Sequence, residues 1–111
     1  MKMNIVTFQG ISDRLYNFTL YPINHSTTPQ KAGIYIFLKP FNYYWQPVYI
    51  GQSHDICNRI YWDLEDHDAW ECIQKTGATN VAVYEFSGTE KERIRIETDL
   101  RHKYPTACNL Q

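Results

Sequence analysis

Two runs, Gly33-Ile-Tyr-Ile-Phe-Leu38 and Pro47-Val-Tyr-Ile-Gly51, decide how this chain folds; Lys39-Pro-Phe-Asn-Tyr-Tyr-Trp-Gln46 joins them. Both runs are built from β-branched and aromatic residues, which suit a pleated surface, so they read as paired strands. The connector opens on a Pro and is crowded with rings, so the pair reads as a hairpin with a long aromatic tip. Upstream, Asn4 to Phe8 and Tyr16 to Tyr21 read as two further strands. Ile23 to Gln30, polar and containing Pro29, reads as a loop. Downstream of Gly51 the period becomes helical. Ile56, Ile60 and Leu64 recur at i, i+4 and i+8, one apolar stripe.

Asp68 followed by Glu71 has the pattern of a capping box that restarts the helix, and Gly77 is positioned to stop it. Val81 to Phe86 alternates like a strand. Ser87 with Glu90, or Thr89 with Glu92, can cap a last helix, which should run to about His102 because Pro105 cannot continue it. The expected architecture is α/β: a small central antiparallel β-sheet flanked by helices, with an extra N-terminal β-hairpin. No internal repeat or low-complexity segment interrupts it.

The chain has 111 residues, enough for one domain and one core. No apolar run approaches the roughly 20 residues of a membrane helix, and the start lacks the apolar stretch of a signal peptide. Cys57, Cys72 and Cys108 are odd in number and form no CxxC pair. That argues against a disulfide scaffold and a cysteine-rich zinc site and suits a reducing, cytoplasmic setting. Aromatic residues make up 15% of the chain, and most should fill the core and sheet.

The net charge of −1 gives no overall attraction to nucleic acid, so any such reading must rest on local charge. The charge is in fact segregated. Asp63, Glu65, Asp66, Asp68 and Glu71 form an acidic stretch. Lys91, Arg93, Arg95, Arg101 and Lys103 form a basic one, interleaved with Glu92, Glu97 and Asp99. Either stretch alone reads first as a solvated helix face.

Alternation brings Tyr35 and Tyr49 close on paired strands, and the first helix presents Arg59. On the last helix Arg93, Glu97 and Arg101 share a face, while Ile96 and Leu100 on the adjacent face dock it. Two tyrosines, an arginine and a lone carboxylate suit phosphoryl chemistry. The carboxylate can hold one Mg²⁺ or Mn²⁺ through oxygen, with waters completing the shell. The metal and the arginine neutralise charge on the phosphate, and a tyrosine hydroxyl orients or deprotonates water. Its usual pKa of about 10 is too high for that unless positive charge lies close. Taken singly, each residue has an ordinary alternative: sheet packing for the tyrosines, surface ion pairs for Arg59 and Glu97, and a turn for Asn109.

Gly33-Ile34-Tyr35 and Tyr49-Ile50-Gly51, in this order and separated by thirteen residues, resemble the GIY-YIG nuclease family. A helix bearing Arg59 follows. The stretch from Glu97 through Leu100 and Pro105 to Asn109 resembles the family's metal-binding glutamate, leucine, proline and closing asparagine. The resemblance runs from Gly33 to Asn109, with residues 1–32 as the N-terminal strands and loop of one domain spanning 1–111. It implies a central three-stranded antiparallel sheet flanked by helices and metal-dependent cleavage of a nucleic-acid phosphodiester, most readily in DNA.

In that scheme Glu97 holds the single Mg²⁺ or Mn²⁺, and Arg59 stabilises the phosphate. Tyr35 and Tyr49 position or activate water, either being the base, and Asn109 braces the site. Gly51 permits close backbone approach, and Gln52, Arg93 and Arg101 face nucleic acid, Gln52 standing where some members have a lysine. Arg93 can contact phosphate or pair with Glu97. His67 is an accessory near the phosphate, or else a cap at a helix break. The aromatic connector is most simply a self-packed tip and otherwise a stacking surface for unpaired bases.

The first thirty residues are too short for a separate DNA-binding domain. A homo-oligomer or a partner protein is therefore expected to supply targeting, unless the substrate is small or structured. Two other function classes compete: a nucleic-acid- or partner-binding module without turnover, and a hydrolase of a small phosphodiester. Metal-dependent cleavage of a polymer separates the nuclease from both.

Overall fold

The computed structural model describes residues 4–23 and 28–109. Five strands form one antiparallel sheet: β1 (Ile5–Gln9), β2 (Leu15–Pro22), β3 (Gly33–Phe41), β4 (Tyr44–Ser53) and β5 (Asn80–Glu85). Their spatial order is β1-β2-β5-β3-β4. The N-terminal hairpin therefore adds directly to the sheet through β2 and β5, pairing Thr19 with Val83 and Tyr21 with Val81. The central three strands implied by the resemblance, β5, β3 and β4, lie on one side of it. The middle of the loop expected over Ile23–Gln30 lies outside the described residues.

Gly33 to Leu38 is buried at every position, as an interior strand covered on both faces must be. On one face Ile34, Ile36, Leu38, Ile50 and Phe18 meet Ile96 and Leu100 of helix α2 (Glu90–Lys103). On the other, Tyr35, Phe37, Val81 and Val83 meet Ile56, Ile60, Leu64 and Ile73. The sheet is thus the middle of three layers. Its two faces carry different chemistry, because odd-numbered residues of β3 point only toward the second layer.

That second layer departs from the expected continuous helix. Asn58–Trp62 forms a widened helical turn closed by Asp63 N–H to Asn58 carbonyl, Leu64–Asp66 a single 3₁₀ turn, and Trp70–Lys75 the short helix α1. The apolar stripe is nevertheless buried as expected, which shows that i, i+4, i+8 spacing reports a face more faithfully than a helix type. Asp68 does not cap α1. The N-cap is Ala69, whose N–H donates to His67 Nδ1 at 3.1 Å.

The chain leaves α1 through Gly77, whose φ of 87° favours a residue without a side chain. Of the two candidate caps for α2, Thr89 with Glu92 is used, and both reciprocal bonds are present. The hairpin is longer than the two runs suggested. Phe41 pairs with Tyr44 around a two-residue turn in which Asn42 adopts φ 56°, a conformation Asn tolerates. Pro47 sits on edge strand β4 beside a bulge, one of the places a sheet accepts Pro.

Two features tie distant segments together. Asp99 of α2 accepts bonds from the Ser12 N–H, the Ser12 hydroxyl and the Tyr16 hydroxyl, clamping the β1–β2 turn to the helix. Burial first, then the hydrogen bond to this carboxylate, push the Tyr16 hydroxyl up to about 12. Cys72 of α1 is disulfide-bonded to Cys108 of the tail, leaving only Cys57 free. This overturns the expectation drawn from cysteine number and removes the cysteine argument for a reducing compartment. No spacing rule could have revealed a bridge across a separation of 36 residues.

Loop-closure entropy for that separation is worth about 4 kcal/mol. Reducing the protein with dithiothreitol should lower its denaturation midpoint substantially and leave a Cys72→Ser variant unmoved. An unchanged midpoint in the native protein would contradict the bridge.

Candidate active site

Tyr35 on β3 and Tyr49 on β4 emerge on the same face, two residue pairs apart, because Tyr35 opposes Gly51 and Phe37 opposes Tyr49. Their rings stack at 25° with centroids 6.1 Å apart. Gly51 is buried beneath them. A Cβ there would lie 2.6 Å from the Tyr35 hydroxyl and 2.9 Å from the Tyr49 ring, so its missing side chain makes room for tyrosine. The close approach that Gly51 permits here is that of the two tyrosine rings.

The Tyr35 ring is 1% exposed, so its hydroxyl must find partners inside the protein. His67 Nε2 lies 2.7 Å away. Because His67 Nδ1 already accepts from Ala69 N–H, the neutral ring carries its proton on Nε2 and donates to Tyr35. The Arg59 guanidinium, on the widened helical turn, lies close enough to favour the Tyr35 phenolate, and Tyr49, stacked beside it, disfavours that phenolate.

Electrostatics follow from this arrangement. Burial, reinforced by Tyr49, pushes the Tyr35 hydroxyl far above its ordinary range despite Arg59. Tyr49 is only half-buried. Burial raises it too, with Glu97 and Asp68 adding to the rise, while Arg59 favours its phenolate. His67 is pushed down to about 4, chiefly by burial and then by Arg59, with Asp68 opposing. His67 thus accepts from Ala69 N–H at the helix break and also reaches the Tyr35 hydroxyl. Asp68 was not singled out for this region; its adjacency to His67 was the only signal.

Glu97 approaches from the opposite layer, around the β4 edge, which α2 contacts extensively. Burial raises its carboxyl and Arg101 opposes the rise. Among the described residues no hydrogen bond or ion pair holds this half-buried carboxylate. A desolvated, unpartnered oxygen ligand fits a hard divalent cation well. Among the described residues no cage of three or more His, Cys, Asp or Glu surrounds it, so such an ion would keep mostly water ligands.

The tail braces the same edge. Asn109 Oδ1 accepts from Ile50 N–H at 2.7 Å and its Nδ2 donates to Ile50 carbonyl at 2.9 Å, while Cys108 N–H donates to Val48 carbonyl. An exposed strand edge is thereby covered. Arg101 reaches the Asn109 carbonyl at 3.4 Å. Arg93 is placed differently from expectation. It is buried, with Nε donating to Gln52 Oε1 and Nη1 to Gly88 carbonyl, both at 2.9 Å. It neither faces phosphate nor pairs with Glu97; it joins α2 to β4 and occupies Gln52.

No family model matches the sequence, and no curated protein is significantly similar to it. Solved structures do match. The N-terminal GIY-YIG endonuclease domain of UvrC from Thermotoga maritima, bound to magnesium as its catalytic divalent cation, superposes with a TM-score of 0.61 and 24% identity. A tyrosine-to-phenylalanine point mutant of that domain, bound to its catalytic divalent cation, gives the same TM-score over 78% of this chain and 90% of that one. The chain has the GIY-YIG nuclease fold. At this identity the likeness is one of fold. Within the GIY-YIG fold of this chain, the two tripeptides, Arg59, Glu97 and Asn109 all converge on the β4 edge.

His67 gives a test of the buried network. Its folded pKa of about 4 lies below the ordinary value of 6.5. The stability gained from keeping it neutral is therefore full above pH 6.5 and lost as pH falls toward 4. Denaturation midpoints measured from pH 8 to 4 should fall across that window in the native protein and flatten in His67→Gln. Parallel curves for the two proteins would rule the buried neutral histidine out.

Proposed function

We propose that residues 1–111 form one divalent-metal-dependent endonuclease domain that hydrolyses nucleic-acid phosphodiesters, DNA before RNA, with Glu97 holding a single Mg²⁺ or Mn²⁺. The observation that carries this reading is the convergence of a directed hydrogen-bond chain, a cation and an unpartnered carboxylate at one strand edge. Ala69 N–H donates to His67 and His67 to the Tyr35 hydroxyl, with the Tyr49 ring stacked beside Tyr35. Likeness to a metal-bound endonuclease domain supports it.

Tyr49 is the base in this scheme, because it is the less buried of the two tyrosines and has the Arg59 charge close by. Its phenolate takes a proton from water as the water oxygen attacks phosphorus; the bond from phosphorus to one sugar oxygen breaks, and that departing oxygen takes a proton from solvent water. Tyr35 stays protonated, while Arg59 offsets both the phenolate and the charge growing on the phosphoryl oxygens. A bound divalent ion at Glu97 would supply further Lewis-acid stabilisation of the phosphate. Asn109 holds the β4 backbone so that Tyr49 keeps its position. With a net charge of −1, targeting is assigned to a homo-oligomer or a partner protein.

Cleavage of supercoiled plasmid, single-stranded DNA and RNA with Mg²⁺ or Mn²⁺ tests the reading. Glu97→Ala should lose on the order of a hundredfold or more in rate. Since Tyr49 must be ionised and its pKa is raised, the native rate should climb about tenfold per pH unit through neutrality. Tyr49→Phe should lack that climb. Binding without cleavage of any polymer would replace the nuclease with a binding module of the same fold.

A further inference from the structure

The tip of the β3–β4 hairpin is not self-packed. Phe41, Tyr43 and Tyr44 are 54%, 101% and 71% exposed, and only Trp45 turns inward to the core. Three bare rings within four residues form an apolar projection that the fold does not use. Their placement is specific. Lys39 opposes Gln46 and Phe41 opposes Tyr44. Alternation along β3 therefore sets Lys39 and Phe41 on the sheet face that carries Tyr35. Phe41 lies six residues beyond Tyr35, roughly 20 Å at 3.3 Å per residue.

Charge singles out the same hairpin. From Lys31 to His54 the sequence contains no Asp or Glu, whereas Asp63 to Glu71 carries five acids. Lys39 is thus a cation with no acid on either strand. The hairpin's own residues offer a polyanion no repulsion but few phosphate contacts. Grip on it must come mainly from the rings. Bases inside a duplex hide their faces against one another; only unpaired bases offer a face to an exposed ring.

We propose that Phe41, Tyr43 and Tyr44 form a stacking platform for unpaired nucleotides, roughly 20 Å along the sheet from the active-site Tyr35. The distance clause rests on the nuclease reading; the binding itself does not. The platform directs the enzyme to single strands or to duplexes with open bases.

The test measures binding in metal-free buffer by fluorescence anisotropy, using a single-stranded oligodeoxynucleotide, the matching oligoribonucleotide and a blunt duplex. The same proteins are then assayed for cleavage with Mg²⁺. Native protein should prefer an unpaired strand to the duplex, with a shallow salt dependence that reflects few phosphate contacts. Whichever unpaired strand it prefers identifies the polymer. Joint Tyr43→Ala and Tyr44→Ala substitution should weaken that binding at least about tenfold, and joint substitution by Phe should restore it. Both positions are exposed, so circular dichroism should show the variants folded. Equal binding by the Ala variant overturns the platform. So does tighter, steeply salt-dependent binding of the duplex, or a changed oligomeric state of the Ala variant with unchanged oligonucleotide binding. Tip-dependent binding without cleavage of any polymer leaves the platform standing and removes the nuclease; cleavage with tip-independent binding does the reverse.

Discussion

A buried phenol hydroxyl that must be hydrogen-bonded organises this molecule. Tyr35 lies on the interior strand β3, beneath the second helical layer, out of reach of water. Leaving such a group unpaired costs on the order of 1–3 kcal/mol. A histidine from the break before α1 satisfies it, with the charge of an arginine from the widened turn and the ring of a tyrosine from the edge strand beside it. The irregular second layer makes sense in these terms. A continuous α-helix across 56–75 would keep His67 on a helical ladder, whereas the break lets its ring turn inward and still accept from Ala69 N–H.

The remaining parts serve the edge at which this network opens. Strand β4 is exposed on one side, and a register slip there would turn Tyr49 away from Tyr35. Several devices prevent it: the bulge beside Pro47, the paired bonds of Asn109 to Ile50, and the Arg93–Gln52 tie to α2. The disulfide holds the segment that carries Asn109 against α1. Helix α2, docked through Ile96 and Leu100 and clamped by Asp99 to the N-terminal hairpin, brings Glu97 to the same edge from the far layer. The two layers thus contribute different chemistry to one place, the sheet edge between them.

How much of this was legible in the sequence depended on the range of the interaction involved. Strands, the Gly77 stop and the Thr89–Glu92 cap are set by local preferences and were readable. The apolar stripe of Ile56, Ile60 and Leu64 gave the buried face correctly but not the backbone type, because burial constrains direction and not hydrogen-bond spacing. The tripeptides and the ordered residues after them brought Tyr35, Tyr49, Arg59, Glu97 and Asn109 together before any coordinates. Arg93 could not be placed, since helical spacing says which residues share a face but not which of them the neighbouring strand covers. The Cys72–Cys108 bridge, the Asp99 clamp and the direction of the His67 relay depend on chain segments far apart in sequence, and no local pattern encodes them.

Tyr49, half-buried with the Arg59 charge nearby, ionises before the fully buried Tyr35. Tyrosine labelled with ¹³C at the hydroxyl-bearing ring carbon allows each phenol to be titrated by NMR in the metal-free protein, with Tyr35→Phe and Tyr49→Phe variants assigning the signals. The account predicts that the Tyr49 signal moves at lower pH than the Tyr35 signal, in keeping with its shallower burial and the Arg59 charge nearby. Ionisation of Tyr35 first, or of both together, would contradict it.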